Sequence, residues 1–494
     1  MSSTRRFNVG RFAPGHSPPD ADVLRLYDLA YAHRIAAMEA APNGRFIDMN
    51  GMLFKLGPSH LRPSQLEPLR LVGDHLADAV SPHIVIDSTQ HWRSSKGGMF
   101  DYGYEAVARV EAMHAAGDAA AGALMASMRT LPPWADMNRA RAGAEFFCAN
   151  IVAAGTCLMN LSLIGGFGAW RINKVLESTG YLSAGRDDVH RRLLETLSFV
   201  LSCCQPSPPH THQAMEPDGA GWRAAFAVRM LHSNVRVRLT SCGRSHWDVA
   251  TFGVPINAED MCATLLGFSV VVLLGLERAG HLWHVSDREC EDYMHLWRLI
   301  GHWLGLPAEI TAQLDCVASS QRLLESIWPH IIDSDESSSR LVFASLRAVA
   351  YRAPFYWSMS DLVCVSRAFS GDFLADCIGI PRPDDARLSQ LIHDHNPLTS
   401  LPSELKHVAC DNPHLALVLP PSPPIAAKLL ASLVSTAFRC IKSACGVFAT
   451  LSPLPLSFKI MPYIVKHAGI RGWLAPKMHD RVTQMVDYRL GFRK

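Results

Sequence analysis

The sequence predicts an all-α protein. Apolar residues recur at three- and four-residue steps over most of the 494 residues, whereas strictly alternating stretches are sparse. No strand–helix–strand alternation is visible, which argues against a parallel sheet. Hydrophobic residues make up 48% and charged residues 19% of the chain, which is typical of a globular protein with a large core.

Three regions are predicted along the chain. Residues 1–85 form an N-terminal extension that begins with a polar, Pro- and Gly-containing stretch expected to be disordered. Residues 86–385 form the main helical domain, and residues 386–494 form a C-terminal helical tail interrupted by proline-rich turns. The tail helix over residues 425–451 mixes basic and apolar side chains, which favours packing on the main domain and leaves contact with a membrane surface as the alternative.

Several helices are predicted within the main domain. Alanine-rich residues 104–128 have strong helix propensity, and Asp187 or Asp188 suits a helix N-terminus. The apolar run over residues 262–276 is shorter than the ~20 residues that span a membrane, so a buried core helix is expected. The predicted helices span residues 104–128, 140–163, 170–178, 187–204, 221–239, 257–280 and 287–304.

One histidine, His232, lies within the apolar stripe of the helix over residues 221–239. The other members of the stripe recur at helical spacing: Ala225, Val228, Val235 and Leu239. Arg229 and Arg236 lie about one turn on either side of His232. Two interpretations remain open, a satisfied core histidine and a ligand to a metal or haem, since neutral imidazole is a common protein ligand.

Other polar residues are weaker candidates. Arg192 and Thr196 are four apart, with Phe199 one turn further on, and mark either a solvated helix edge or a donor pair facing a buried pocket. Glu177 and Glu195 are either surface residues or bases activated by burial.

The remaining histidines and the glycine-rich segment predict no further site. His210 and His212, and likewise His295 and His302, lack a third ligand, so no zinc site is predicted. Gly165-Gly-Phe-Gly lacks the pattern of a phosphate-binding loop.

The net charge and the cysteine content limit which binding partners and which cellular compartment are expected. A net charge of +2 gives no electrostatic footprint for nucleic acid. The 13 cysteines contain no CxxC motif, and the N-terminus has no apolar signal segment. We therefore expect a cytoplasmic protein, with peripheral contact at an intracellular membrane through the C-terminal tail as a further expectation.

Six phrases, taken in order, resemble one family. They look like the catalytic domain shared by latex-clearing rubber oxygenases and MpaB-type oxygenases, over roughly residues 86–385. The phrases are Leu131-Pro-Pro-Trp-Ala-Asp, Arg191-Arg-Leu-Leu-Glu-Thr with Phe199-Val200, Ala227-Val-Arg-Met-Leu-His-Ser-Asn-Val-Arg, Gly253-Val-Pro-Ile-Asn with Asp260-Met261, Phe268-Ser269, and Tyr293-Met-His-Leu-Trp-Arg.

The resemblance implies a globin-related helical bundle around a buried haem b. It implies an oxidoreductase that uses dioxygen to cleave or oxidise a carbon–carbon double bond of an isoprenoid or prenylated substrate. His232 matches the family's proximal iron ligand, and Arg192 and Thr196 match its distal pair. By the same resemblance Phe199 would line the pocket, and Arg229 or Arg236 would pair with a haem propionate.

The chain departs from the family pattern at two positions. Glu195 stands where the latex-clearing protein has a lysine that can cap the iron, so lysine capping is not expected here. Glu177 is the nearest match to the family's catalytic glutamate, with Glu195 as the other candidate base. The alternatives to an oxygenase are a non-catalytic haem sensor or carrier and a helical interaction protein that has lost the cofactor.

Overall fold

The computed structural model describes residues 23–49, 52–84, 98–180, 182, 185–205, 211–241, 247–279, 282, 285–352 and 357–382. His210, the first 22 residues and the predicted tail over residues 386–494 lie outside this set. Helices dominate the described residues, as predicted. The globin-related arrangement around a haem stays a prediction.

A small sheet lies near the N-terminal end of the described chain, where the sequence did not predict one. Its strands are β1 (Val23–Arg25), β2 (Phe46–Met49) and β3 (Met52–Lys55). β2 is central, parallel to β1 and antiparallel to β3. Strands of three or four residues are too short for an alternating pattern to be recognised in sequence.

Residues 23–84 pack into the same core as the helices that follow. They include α1 (Tyr31–Ala40), α2 (Pro63–Leu66), α3 (His75–Val80) and the 3₁₀ turns Leu26–Asp28, Glu67–Leu71 and Ser81–His83. Val254 N donates to Arg70 O at 2.8 Å, and Ala258 N donates to Val72 O at 2.9 Å. Buried Leu26 and Leu66 belong to the common core. The predicted extension is thus an integral part of the helical body over these residues.

Three of the predicted helices are broken in the structure, the first two of them in the N-terminal half of the main domain. Residues 104–128 fall in α4 (Gly98–Ala115) and α5 (Ala119–Arg129), which are separated at Gly117 with φ of +92°. Residues 140–163 fall in α6 (Met137–Ala149), α7 (Ile151–Cys157) and a π-helix (Leu158–Leu163), followed by α8 (Ile164–Gly166). The chain bends by 85° at Asn150, whose side-chain amide donates to Phe146 O at 2.8 Å. The prediction of one continuous helix was wrong at both places.

The next three helices match their predicted bounds within one residue at each end. They are α9 (Trp170–Thr179), α10 (Arg186–Cys203) and α11 (Ala220–Thr240). Gly180 ends α9 in the left-handed conformation, with φ of +66°. α11 packs against α3, α4 and α10, so the helix that carries His232 lies inside the bundle.

The most apolar segment forms two helices after the short α12 (Val249–Phe252). They are α13 (Ala258–Phe268) and α14 (Val270–Arg278), separated at Ser269, whose hydroxyl donates to Leu265 O at 2.8 Å. Ala258–Arg278 is long and apolar enough to cross a membrane, but 78% of its most apolar window is buried inside the protein. That burial agrees with the predicted core helix.

Six helices complete the described chain. α15 lies along α6 and contacts α11, and its Trp297 and Trp303 are fully buried. The helices are α15 (Asp287–Trp303), α16 (Ala308–Ala312), α17 (Val317–Ile331), α18 (Glu336–Val349), α19 (Met359–Ser370) and α20 (Asp372–Cys377).

Candidate functional site: a histidine without a protein partner

His232 lies in the middle of α11 with its ring inside the bundle. The side chain is half-buried, and ring nitrogen Nδ1 is buried without a hydrogen-bond partner among the described residues. Burial lowers the pKa of His232 to about 3; the charge of Arg236 acts in the same direction, and Asp74 opposes it. The ring is therefore neutral at neutral pH, which is the form that ligates a metal.

Other buried histidines of the described chain are satisfied by the protein. His330 Nδ1 lies 2.5 Å from Glu259 Oε1, and His60 Nε2 lies 2.8 Å from Glu325 Oε2. His295 Nε2 accepts from Asp136 N at 2.9 Å. These contacts account for the three residues as parts of the fold.

Two further histidines share some of these features. His302 Nε2 is buried without a hydrogen-bond partner among the described residues, and burial lowers the pKa of His302 as it does that of His232. His302 also interacts with the backbone of Thr130, and His190 interacts with the carboxylate of Asp187. The described residues give the His232 ring no such hydrogen bond, whereas the backbone of Thr130 partly satisfies the His302 ring; this difference favours the ligand interpretation of His232 over a satisfied core residue.

The two arginines that flank His232 are already ion-paired within the protein. Arg229 makes a bidentate pair with Asp74, with Nε–Oδ2 at 2.6 Å and Nη2–Oδ1 at 3.0 Å. Arg236 Nε lies 2.9 Å from both carboxylate oxygens of Asp78, and its Nη1 donates to Ile256 O at 3.1 Å. The guanidiniums of Arg229 and Arg236 are therefore already paired with protein carboxylates. Their predicted pairing with a haem propionate, which the resemblance implies, stays untested.

The α10 candidates form a compact charged group at a helix edge. Glu195 is almost fully buried; its Oε1 accepts from Arg191 Nε at 3.2 Å, and its Oε2 accepts from Arg192 Nη1 at 3.0 Å. The Thr196 hydroxyl donates to Arg192 O at 3.2 Å within the same helix. Phe199 is buried on the next turn. Arg192, Glu195 and Thr196 therefore lie together, as their spacing predicts.

Glu177 lies in a different environment from Glu195. It borders an open groove between α9 and α18, where Oε1 accepts from Arg340 Nη2 at 2.7 Å. Trp170, Lys174, Phe252 and Asp335 also line this groove. Of the two candidate bases, Glu195 is the buried one, and Glu177 belongs to a partly exposed ion pair.

The described residues fit haem better than a metal ion held by protein side chains alone. No group of three or more His, Cys, Asp or Glu residues with metal-binding proximity occurs within the described ranges. A haem iron needs only one protein nitrogen, because the porphyrin supplies four others. The neutral imidazole of His232, whose Nδ1 has no hydrogen-bond partner among the described residues, meets that requirement.

Comparison with known proteins relates part of the chain to a family of oxygenases. Residues 151–393 match the sequence model of the family described as ER-bound oxygenase mpaB/B'/Rubber oxygenase, catalytic domain. Just under half of the chain therefore matches the catalytic domain of this family. The match contains His232 and all the α9, α10 and α11 candidates, whereas Asp74 and Asp78 lie upstream of it.

The sequence identity and coverage of the similarity are given by one curated relative and one solved structure. The rubber oxygenase of Streptomyces sp. (strain K30) is 26% identical over 215 residues, which cover 42% of this chain. This chain spans about half of that relative's length, at 48%. A structure of latex clearing protein LCP in the closed state is 20% identical, with a TM-score of 0.43, and the match covers 74% of this chain and 90% of that chain.

Sequence reasoning missed Asp74 and Asp78, which are the partners of the two arginines. They stand four apart at the start of α3. Two aspartates at helical spacing resemble any solvated helix end, and nothing in the sequence indicates that a helix about 155 residues away lies against them.

Proposed function

We propose that this chain is a haem b-dependent oxygenase that cleaves or oxidises a carbon–carbon double bond of an isoprenoid or prenylated substrate with dioxygen. The observation that carries the proposal is the half-buried His232 ring, whose buried Nδ1 has no partner among the described residues. The family match supports the oxygenase class, and the name of the relative, rubber oxygenase, supports a polyisoprenoid substrate.

The chain supplies the ligand and the surroundings of the cofactor. His232 would hold the iron through its neutral imidazole. Haem supplies the reactivity toward dioxygen that amino-acid side chains lack. Arg229 and Arg236, anchored by Asp74 and Asp78, hold the ligand helix against α3. The apolar side chains of the bundle exclude water. A prenyl chain is itself apolar and would need few polar contacts in such surroundings.

Arg192 and Glu195 are the polar groups that we assign to the reaction. The Arg192 guanidinium donates to Glu195 and is partly accessible, with 24% of its side chain exposed. It can therefore turn hydrogen-bond donors toward negative charge that develops on the substrate. Both oxygens of Glu195 accept from arginines, so Glu195 takes up an allylic proton only after one of these contacts opens.

The test is oxygen uptake by protein purified after expression with added haem. The substrates are a polyisoprene emulsion and a panel of prenylated aromatic compounds, with products analysed by mass spectrometry. We expect a Soret absorption band, together with oxygen uptake that matches the formation of new carbonyl ends. A haem-loaded protein that consumes no oxygen with any substrate supports a sensor or carrier. A protein without haem supports an interaction protein. The cytoplasmic location and the membrane contact through the tail remain predictions.

A further inference from the structure

Three polar contacts join residues 74–83 to the helix that carries His232. Asp74 pairs with Arg229, Asp78 pairs with Arg236, and the Ser81 hydroxyl donates to Asn234 Oδ1 at 2.6 Å. Their α11 partners stand three residues before, four residues after and two residues after His232. We call residues 74–83 the brace. It lies upstream of the part of the chain that matches the family.

The Asp74–Arg229 pair is the most enclosed part of the brace. Asp74 is 8% exposed and Arg229 is 3% exposed. Gly305, in the turn after α15, closes over the pair with φ of +86°; a Cβ there would lie 2.5 Å from Asp74 Oδ2 and 2.7 Å from Arg229 Nε. Arg229 Nη1 also donates to Met128 Sδ at 3.3 Å. Parts of α3, α5, α11 and the Gly305 turn therefore fix both side chains.

The charge of Asp74 reaches the His232 ring. Burial alone would raise the pKa of Asp74, but the hydrogen bonds and charge of Arg229 outweigh burial and keep the pKa below its usual value. Asp74 is therefore ionised at neutral pH. Its negative charge opposes the positive charge of Arg236 at His232. In a low-dielectric interior such charges act over several ångströms with little screening.

We infer that Asp74 is a positioning residue for the His232 ligand and that it sets the reduction potential of the iron bound there. This inference rests on the proposed haem function. Asp74 fixes Arg229 one turn before the ligand and cancels its charge. Loss of the carboxylate leaves Arg229 uncompensated near the iron. An added positive charge favours the reduced, less positive iron, so the potential should rise.

The test compares four haem-loaded proteins: wild type, Asp74→Asn, Asp74→Glu and the double variant Asp74→Asn/Arg229→Gln. Reduction potential is measured by spectroelectrochemistry, and haem release is measured by transfer to apomyoglobin. We expect Asp74→Asn to raise the potential and to release haem roughly 10–100-fold faster, as found for residues that support a metal ligand. Asp74→Glu keeps the charge and should stay close to wild type in potential.

The double variant separates charge from packing. It removes both charges, so the potential should return to the wild-type value while haem release stays fast. A wild-type potential in Asp74→Asn, or a raised potential that persists in the double variant, overturns the inference. If Asp74→Asn does not fold, Asp78→Asn replaces it, since Asp78 is 27% exposed and should shift the potential less but in the same direction. A wild-type protein without haem would instead refute the proposed function.

Discussion

His232 and His330 are both histidines inside the helical bundle, yet their surroundings differ completely. His330 Nδ1 lies 2.5 Å from Glu259 Oε1, and its Nε2 lies 3.3 Å from Glu67 Oε2. His232 Nδ1 has no such partner among the described residues. Both side chains would look alike in a sequence pattern, as single histidines on largely apolar helices. The contacts of His330 explain it as part of the fold, whereas His232 is left available to a ligand.

The charges around the two histidines differ as well. Near His232 each buried guanidinium has its own carboxylate, Asp74 or Asp78. The surroundings of His330 are acidic, with Glu67, Glu259 and the adjacent Asp260. Burial raises the pKa of Asp260 to about 8, and the neighbouring Glu259 acts in the same direction. The charges near His232 are thus paired, whereas the region of His330 holds an excess of carboxyl groups, of which Asp260 has a raised pKa.

The largest expected difference is in the stability of the haem-free protein. His330→Leu leaves Glu259 buried without its partner, so the free energy of unfolding should fall by about 3–5 kcal/mol. His232→Leu removes a nitrogen, Nδ1, that has no hydrogen-bond partner in the described part of the chain, so the loss should stay below about 1 kcal/mol. Urea denaturation followed by circular dichroism measures both variants. Equal losses would show that His232 is a structural residue like His330.

The Arg192–Glu195 pair allows a second comparison, between an ion pair assigned to the reaction and an ion pair that only supports the fold. Glu195 is buried like Glu259, but guanidiniums satisfy it instead of a histidine. Arg192→Ala should retain haem and lower oxygen uptake on the order of 100-fold, because a donor near the reacting groups is lost. Arg191 still pairs with Glu195, which limits the structural damage. The matched control is Arg141→Ala, which breaks an Arg–Glu pair of similar length on α6 and should keep wild-type uptake. Equal oxygen uptake by the Arg192→Ala and Arg141→Ala variants would show that Arg192 takes no part in the reaction.

A pH dependence of stability is also expected from the region near His330. Asp260 keeps its proton in the folded protein up to about pH 8 but loses it near pH 3.8 when unfolded. Between these values the folded state binds more protons, so stability falls as pH rises, by at most ~1.4 kcal/mol per pH unit from this group. Asp260→Asn should remove that slope and equal or exceed wild type at pH 8. Asn257 can still donate to the new amide oxygen, as it does to Asp260 Oδ2 now. An unchanged slope would assign the pH dependence to other groups.

Local sequence patterns predicted the helices of the site but not their partners. Periodicity placed α10 and α11 within one residue at each end. It did not predict which side of α11 is buried, since Arg229, Ser233 and Arg236 are buried there. The same patterns missed the breaks at Asn150 and Ser269, where apolar sequence continues through a change in backbone direction. Spacing put Arg192, Glu195 and Thr196 together because they share one helix. Asp74 could not be matched to Arg229, since only the packing of distant segments brings them together.

A haem titration tests whether His232 binds the haem iron. Haem is added to haem-free wild type, His232→Ala and His302→Ala, and the Soret band is recorded. His302 is the matched control because it also has a buried ring nitrogen without a hydrogen-bond partner. We expect a saturable Soret band in wild type and in His302→Ala and loss of stable binding in His232→Ala. A His232→Ala protein that binds haem with the wild-type spectrum and affinity would contradict the assignment.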